Sequence, residues 1–335
     1  MQPRDLLIGM TYDLRDDYLA EGFSLEETAE FDKPETIDGI ADSLRELGYR
    51  TERIGNAKAL VQALASGRRW DLVFNIAEGM FGAGREAVVP ALLDAYRIPY
   101  TFSDPAVLTL ALDKSLTKRI VRDAGVPTAP FACLHGTADI AGVTLPFPLF
   151  LKPLAEGTGK GISNRSKVCT PDELREVATE LLARFHQPVL VETFLPGREF
   201  TVGLAGTGDT AGVLGVIEVN FKAGSGGIYS YQTKADYEEL VSYTVPHDLV
   251  SREAAQVALA AWRVLRCVDA GRADIRCDAD GRPNFIEVNP LAGLNPTHSD
   301  LPILCRMNGI SFTQLIGRIM QEARLRHGCA APQPL

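Results

Sequence analysis

"RADIRCDADGRPNFIEVNP", Arg272 to Pro290, reads as two strands joined by a tight turn, and it carries an aspartate, a glutamate and an asparagine where strand side chains are ordinarily apolar. With the turn at "DADG", partners across the pair have numbers summing to about 561, which sets Asp274 opposite Glu287. Side chains alternate along a strand, so Arg272, Asp274, Glu287 and Asn289 gather on one face while Ala273, Ile275, Cys277, Ile286 and Val288 turn toward the core. Two carboxylates and an amide oxygen are hard ligands of the kind Mg²⁺ takes when it is shared with substrate phosphates. Geometry alone leaves two readings open, a metal platform with Arg272 beside it or a solvated sheet face whose acids are inert. An EF-hand built from Asp278 and Asp280 is excluded, because Gly281 comes too early and no glutamate closes the loop.

The chain around this hairpin has 335 residues, 46 % of them hydrophobic and 23 % charged, a globular composition with room for more than one domain. "DLLIGM" is the continuous apolar run of a strand buried on both faces. A helix follows, with Asp32 as N-cap, Pro34 in its first turn, and Ile37, Ile40, Ala41, Leu44 and Leu47 at helical spacing. "YRTERIG", "WDLVFNIAEG" and "IPYTFS" read as further strands separated by helical segments, so residues up to 103 form a small doubly wound α/β domain. Asp104-Pro105 opens one helix that runs through "AVLTLALDKSLTKRIVRDAG" and stops at Gly125 and Pro127. Beyond it "PLFLKP", "PVLVETFL" and "EFTVGLAG" crowd together with few helices between them, an α+β texture with an antiparallel sheet. "FKAGSGGIYSYQTKADYEE" reads as a long surface loop, and a helix capped by Ser311, with Phe312, Leu315, Ile316 and Ile319 inward, precedes a frayed tail.

A net charge of −9 argues against nucleic acid as a partner. No apolar run approaches the ~20 residues that span a bilayer, and "MQPRDLLIGMTYDLRDD" places acids where a signal peptide needs an apolar core, so no membrane partner and a cytoplasmic location are expected. Six cysteines without CxxC spacing read as reduced thiols rather than zinc ligands.

"PLFLKPLAEGTGKGIS", Pro148 to Ser163, ends an apolar strand on Lys152 and runs directly into glycines 157, 159 and 161, with Thr158 and Lys160 between them. Glycines let backbone amides close on phosphate oxygens, and lysines add positive charge. The spacing is not that of a P-loop, since Leu154 and Gly161 stand where a glycine and a Ser or Thr are required.

Taken in order, "FNIAEG", "IPYTFSDPAVLTLALDKSLTKRIVRDAGVPT", "PLFLKPLAEGTGKGIS", "VLVETFLPGREFTV", the opening hairpin with "LAGLNPTHS", and "NGISFTQLIGRI" resemble the ATP-grasp ligases, and within them the D-alanine-D-alanine ligase group. The resemblance spans nearly the whole chain. It implies an ATP-grasp fold in three parts: an N-terminal doubly wound α/β domain (1–103), a central loop-bearing domain (104–190) and a C-terminal antiparallel-sheet domain (191–328). It further implies ATP and Mg²⁺ or Mn²⁺ as cofactors, small-molecule carboxylate and amino-acid substrates, and a homodimer. Carried onto this sequence, Lys114 and Lys152 look like phosphate lysines, and Gly157, Thr158, Gly159 and Lys160 like the loop that closes over them. Glu192, Thr193 and Leu195 resemble the adenine side, and Glu199 the ribose-binding acid. Asp274, Glu287 and Asn289 match a two-magnesium site, Arg272 and the Gly293 amide match the oxyanion-stabilising groups, and Lys234 and Ser299 match residues that hold the acceptor's carboxylate.

The match fails where the donor's ammonium is held. "MTYDLRDDYLAEGFSLEETAEFDKPET" lacks the GGxSxE pattern, leaving Glu30 or Asp32 as stand-ins; Glu78 replaces a family histidine, Gly159 follows Thr158 where two serines are usual, and Ala235 follows Lys234 where a tyrosine is expected, with Tyr229 matching a different aromatic. The expected activity is therefore an ATP-dependent carboxylate-amine ligase that forms an amide through an acyl phosphate and has an altered donor pocket. The alternatives are a ligase for a non-peptide precursor, a D-alanine-D-alanine ligase with a rebuilt pocket, and an inactive nucleotide-binding module.

Overall fold

A computed structural model of the protein describes residues 6–221 and 241–328, so the long loop carrying Tyr229 and Lys234 lies outside the described residues. The chain begins with β1 (Leu7–Thr11), α1 (Arg15–Ala20), α2 (Pro34–Glu46), β2 (Arg50–Gly55), α3 (Ala57–Ala65), β3 (Leu72–Asn75) and α4 (Val88–Ala95). β1 lies between β2 and β3 in a parallel sheet, which accounts for its apolar run. "IPYTFS" does not become a strand; it reaches β3 through a single bridge from Tyr100 to Val73, because Phe102 turns left-handed at φ 69° and ends the extended run. Asp32 is not the N-cap of α2 either. Lys33 holds that place without a side-chain cap, and the Asp32 carboxyl instead meets Thr36 at the edge of a pocket.

The single helix expected after Asp104 is two, α5 (Pro105–Leu112) and α6 (Lys114–Asp123). Asp113 breaks it, since its carboxylate accepts from the Ser115 and Leu116 amides and so caps a new helix. The break brings Lys114 to the first position of α6. Then come β4 (Phe131–Leu134), β5 (Leu149–Pro153), β6 (Lys167–Val168), α7 (Pro171–Phe185) and β7 (Val189–Thr193), whose strands pair antiparallel in the order β4-β7-β5-β6. α7 went unread in the sequence although Thr170 caps it, Pro171 opens it, and Leu174, Val177, Ala178 and Leu181 bury its inner face.

The last sheet is formed by β8 (Glu199–Ala205), β9 (Gly212–Phe221), β10 (Val241–Thr244), β11 (Ala270–Cys277) and β12 (Pro283–Asn289), antiparallel in the order β10-β9-β8-β11-β12. α8 (Leu249–Val264) covers one face with Ala254, Ala258, Ala261 and Trp262; α9 (Asp300–Met307) and α10 (Phe312–Arg326) follow β12. β11 and β12 pair as expected at Asp274–Glu287 and Arg272–Asn289. One expectation fails: a bulge after Asp274 shifts the register so that Ile275 faces Phe285, Phe285 fills the core, and Ile286 is displaced into the pocket beside Glu287.

α10 returns to the start of the chain. Leu315, Ile319 and Met320 share one core with Ile37, Ile40 and Leu44 of α2, tying the C-terminal region to the N-terminal region. β7 runs across position 190/191, and we propose that the division between the central and C-terminal regions lies at 194–198, after that strand. Among the described residues no helix is long and apolar enough to cross a membrane.

Candidate active site

Two hollows meet at Glu287, which lines both. The first lies between the two antiparallel sheets and is walled by Phe150, Ile162, Phe194, Leu195 and Ile286, with Lys152, Glu192, Glu199 and Asp274 supplying charge. Thr193 and Gly159 complete it. An apolar slot with a few convergent polar groups suits a planar ring joined to an anion. Glu199 is paired with Arg276 at 2.8 Å.

Between this slot and the second hollow stands a cluster of buried charge. Lys152 Nζ lies 3.1 Å from Glu192 Oε2 and 3.8 Å from Glu287 Oε2, and Lys114 Nζ lies 3.7 Å from the same Glu287 oxygen. Burial by itself would raise the Glu192 pKa; the adjacent lysines outweigh it and hold the carboxyl below its usual range. Glu287 and Glu192 in turn raise Lys152 against its own desolvation. Lys114 is drawn below its usual range by burial, and donates to the Glu156 carbonyl at 2.7 Å.

The glycine-rich loop hangs over this cluster. Thr158 takes φ 50°, Gly159 and Gly161 take φ 74°, and a Cβ on Gly161 would fall 2.5 Å from Pro153 and 2.8 Å from Phe185. The loop is tied to the N-terminal region by Glu30, which accepts from the Gly157 amide at 2.6 Å and pairs with Arg85 at 3.1 Å and Lys160 at 3.6 Å. Lys160 also pairs with Glu156 at 2.7 Å, so both its carboxylate contacts hold the loop together. The Thr158 hydroxyl is buried with no hydrogen-bond partner.

The second hollow joins Lys114, Arg272, Asn289, Gly293, Ser299 and Asp300 to an acidic end formed by Asp32, Glu78 and Glu86. Arg272 pairs with Asp274 and lies 3.8 Å from Asp300, whose other oxygen accepts from the Tyr243 hydroxyl at 3.2 Å. Ser299 Oγ accepts from the Asn295 amide at 3.0 Å and stands close against Gly293, where an added Cβ would come within 2.9 Å of it. At the acidic end, desolvation followed by Asp13 pushes Asp32 up to about 7. Desolvation, only partly offset by Arg85, pushes Glu86 up to about 7, and desolvation with Glu86 and Glu30 nearby raises Glu78 well above the usual carboxylate range. None of the three is ion-paired among the described residues.

These shifts have a stability consequence. A carboxyl whose folded pKa is raised binds its proton more tightly in the folded state, so it opposes folding increasingly as pH climbs from the unfolded value of 4.5 to about 7 for Glu86. Glu86→Gln is therefore expected to raise the melting temperature by a few degrees at about pH 8, with the gain shrinking toward pH 5. Calorimetric melts at both pH values check it.

Three oxygen-bearing side chains stand close along the hairpin, on β11 and β12. Asp274 accepts from Thr201 at 3.2 Å, Glu287 lies opposite it across the strand pair, and the Asn289 amide nitrogen is buried without a hydrogen-bond partner. The three side-chain oxygens make a hard donor set that fits Mg²⁺ or Mn²⁺.

The structure thus brings Lys114, Lys152, Glu192, Glu199, Arg272, Asp274, Glu287, Asn289, Gly293, Ser299, Glu78 and the glycine-rich loop together, while Lys234 and Tyr229 lie outside the described residues. Four residues escaped the sequence reading. Lys118 is fully buried against Glu192, and its place one turn after Lys114 on the same helix was a usable signal. Arg85 and Glu86 were hidden inside a segment read only as helix, and Asp300 carried no signal before α9 was placed.

Residues 120–321 match the family model described as D-ala D-ala ligase C-terminus. The chain is 35 % identical to a D-alanine–D-alanine ligase of Bordetella petrii over 85 % of its own length and 82 % of that protein, and 33 % identical to one of Cupriavidus metallidurans over 86 % of each. An uncharacterised protein of Sinorhizobium fredii is 30 % identical over 87 % of this chain and 88 % of its own length. The crystal structure of the Bacillus anthracis D-alanine–D-alanine ligase complexed with ATP superposes with a TM-score of 0.73 at 20 % identity, covering 96 % of this chain and 99 % of that one, which establishes the shared fold. The family match over most of the chain and its relatives' near-complete coverage carry one conclusion: this protein belongs to the D-alanine–D-alanine ligase family of ATP-grasp enzymes.

Proposed function

We propose that this ligase uses ATP to activate a carboxylate other than that of D-alanine and joins it to the amine of an amino acid. The observation that carries the reading is the contrast between the two ends of the site. Lys114 and Lys152 converge on Glu287 near Arg272, which supports phosphoryl and acyl transfer there, whereas the other end is lined by Asp32, Glu78 and Glu86, none of them in an ion pair among the described residues. Such a lining favours a donor that carries positive charge beyond its reacting carboxylate.

In the proposed sequence ATP lies in the apolar slot with its phosphates toward Lys114 and Lys152. Asp274, Glu287 and Asn289 would hold Mg²⁺, which neutralises charge on the phosphoryl oxygens when bound. A donor carboxylate oxygen attacks the γ-phosphorus and ADP leaves. The acceptor amine then attacks the acyl carbon, the tetrahedral oxyanion faces the Arg272 guanidinium and the Gly293 amide, and inorganic phosphate departs as the nitrogen loses a proton. The glycine-rich loop, held by Glu30 and Arg85, keeps water from the acyl phosphate.

The test is phosphate release and product mass for the purified protein with ATP, Mg²⁺ and single or paired D- and L-amino acids, including diamino acids. Turnover with a cationic donor at a kcat/KM at least ~10-fold above that with D-alanine is expected. Efficient D-alanyl-D-alanine formation from D-alanine alone would overturn the altered-donor reading.

A further inference from the structure

Lys118 is a charged side chain in the interior of the molecule that no step of the proposed chemistry uses. Its Nζ lies 2.6 Å from Glu192 Oε1, donates to Thr128 Oγ1, and stands 5.6 Å from the centroid of the Phe131 ring. The far oxygen of the same carboxylate takes Lys152 at 3.1 Å. One buried acid is therefore clasped between two buried lysines, and only one of the lysines reaches the site: Lys152 lines the nucleotide slot and Lys118 does not.

We infer that Lys118 is a positioning residue that neutralises Glu192, so that the charge of Lys152 stays available to an anionic ligand. The argument is a count of charge. Lys114, Lys152, Glu192 and Glu287 together are neutral; with Lys118 the cluster carries one net positive charge, and it faces the slot through Lys152. In a buried setting an uncompensated charge acts over several ångströms with little screening, so removing a lysine that never touches the ligand weakens the ligand's site. β7 fixes the arrangement from one side, since Glu192 pairs in register with Phe131 of β4 and Phe150 of β5. α6 fixes it from the other, placing Lys118 one turn beyond Lys114 so that the two lysines serve different acids, Glu192 and Glu287.

The inference rests on the slot being the nucleotide site, and its test separates the two. Calorimetric titration with a non-hydrolysable ATP analogue and Mg²⁺ needs no donor. Wild type is expected to bind, and absence of binding would overturn the nucleotide reading together with this one. Lys118→Met is expected to weaken binding on the order of 10- to 100-fold, and Lys118→Arg, which keeps the charge, to stay within about 3-fold of wild type. The decisive variant is the double one, Lys118→Met with Glu192→Gln, which removes both charges and leaves Lys152 alone. It is expected to bind within about 3-fold of wild type, because removing the acid together with its neutralising lysine leaves the same single positive charge at Lys152. This comparison stands even if Lys118→Met by itself fails to fold. A double variant that folds but binds 10-fold or more weakly than wild type would assign Lys118 a purely structural role and overturn the inference.

Discussion

Asp274→Asn is expected to reduce turnover on the order of 10³-fold or more while leaving the fold in place. The substitution keeps the size and planarity of the side chain, and its partner Thr201 can still donate to the remaining carbonyl oxygen. What it removes is one unit of negative charge from the face that pairs with Glu287 across β11 and β12. Two consequences are expected. The proposed cation site loses a charged ligand, and Arg272 keeps Asp300 at 3.8 Å as an ion-pair partner among the described residues, so the guanidinium swings toward α9 and away from the proposed oxyanion position. Phosphate release at saturating ATP and Mg²⁺, with thermal melting as the control for folding, checks both. Activity within tenfold of wild type in a folded variant would mean that the hairpin face is not the catalytic one.

The second large effect concerns Arg272 itself. Arg272→Lys keeps the positive charge yet loses the planar fork that reaches Asp274 and Asp300 together. The lysine ammonium can satisfy one of them and is then too short and too strongly hydrated to present a fixed donor to a developing oxyanion. Loss of one such donor lowers kcat on the order of 10²- to 10³-fold. The proposed nucleotide slot is the other hollow, so the KM for ATP is expected to change little. Separate kcat and KM measurements distinguish this from a general loosening of the site, which would raise KM for ATP as well.

The hairpin pairing was legible in the sequence because it obeys local rules. Alternation along a strand and the "DADG" turn placed Asp274 opposite Glu287 correctly. Neighbouring rules failed where one residue departs from the pattern. A bulge is a single inserted residue with no composition of its own, and it exchanged Phe285 and Ile286 between core and pocket. Asp113 sits within an otherwise continuous apolar run, and its capping bonds divide the expected helix. Buried ion pairs were the least legible. Lys118, Arg85 and Glu30 are exposed-type residues by every local measure, and only the assembled fold encloses them. The acidic end belongs to the same class: Asp32 was read both as a helix cap and as a stand-in for the donor-ammonium glutamate, and its burial beside Asp13 became visible only once β1 and α2 were placed against each other.

The central claim is that a carboxylate is activated by ATP before an amine attacks it, and isotope transfer tests it most directly. The donor that turns over is labelled with ¹⁸O in its carboxylate, and the phosphate released with ATP, Mg²⁺ and acceptor is examined by mass spectrometry. Phosphate carrying one labelled oxygen, formed together with ADP, is the expected result, because the bridging oxygen of an acyl phosphate comes from the carboxylate and leaves with phosphorus. Unlabelled phosphate, or label found instead in AMP, would contradict the account.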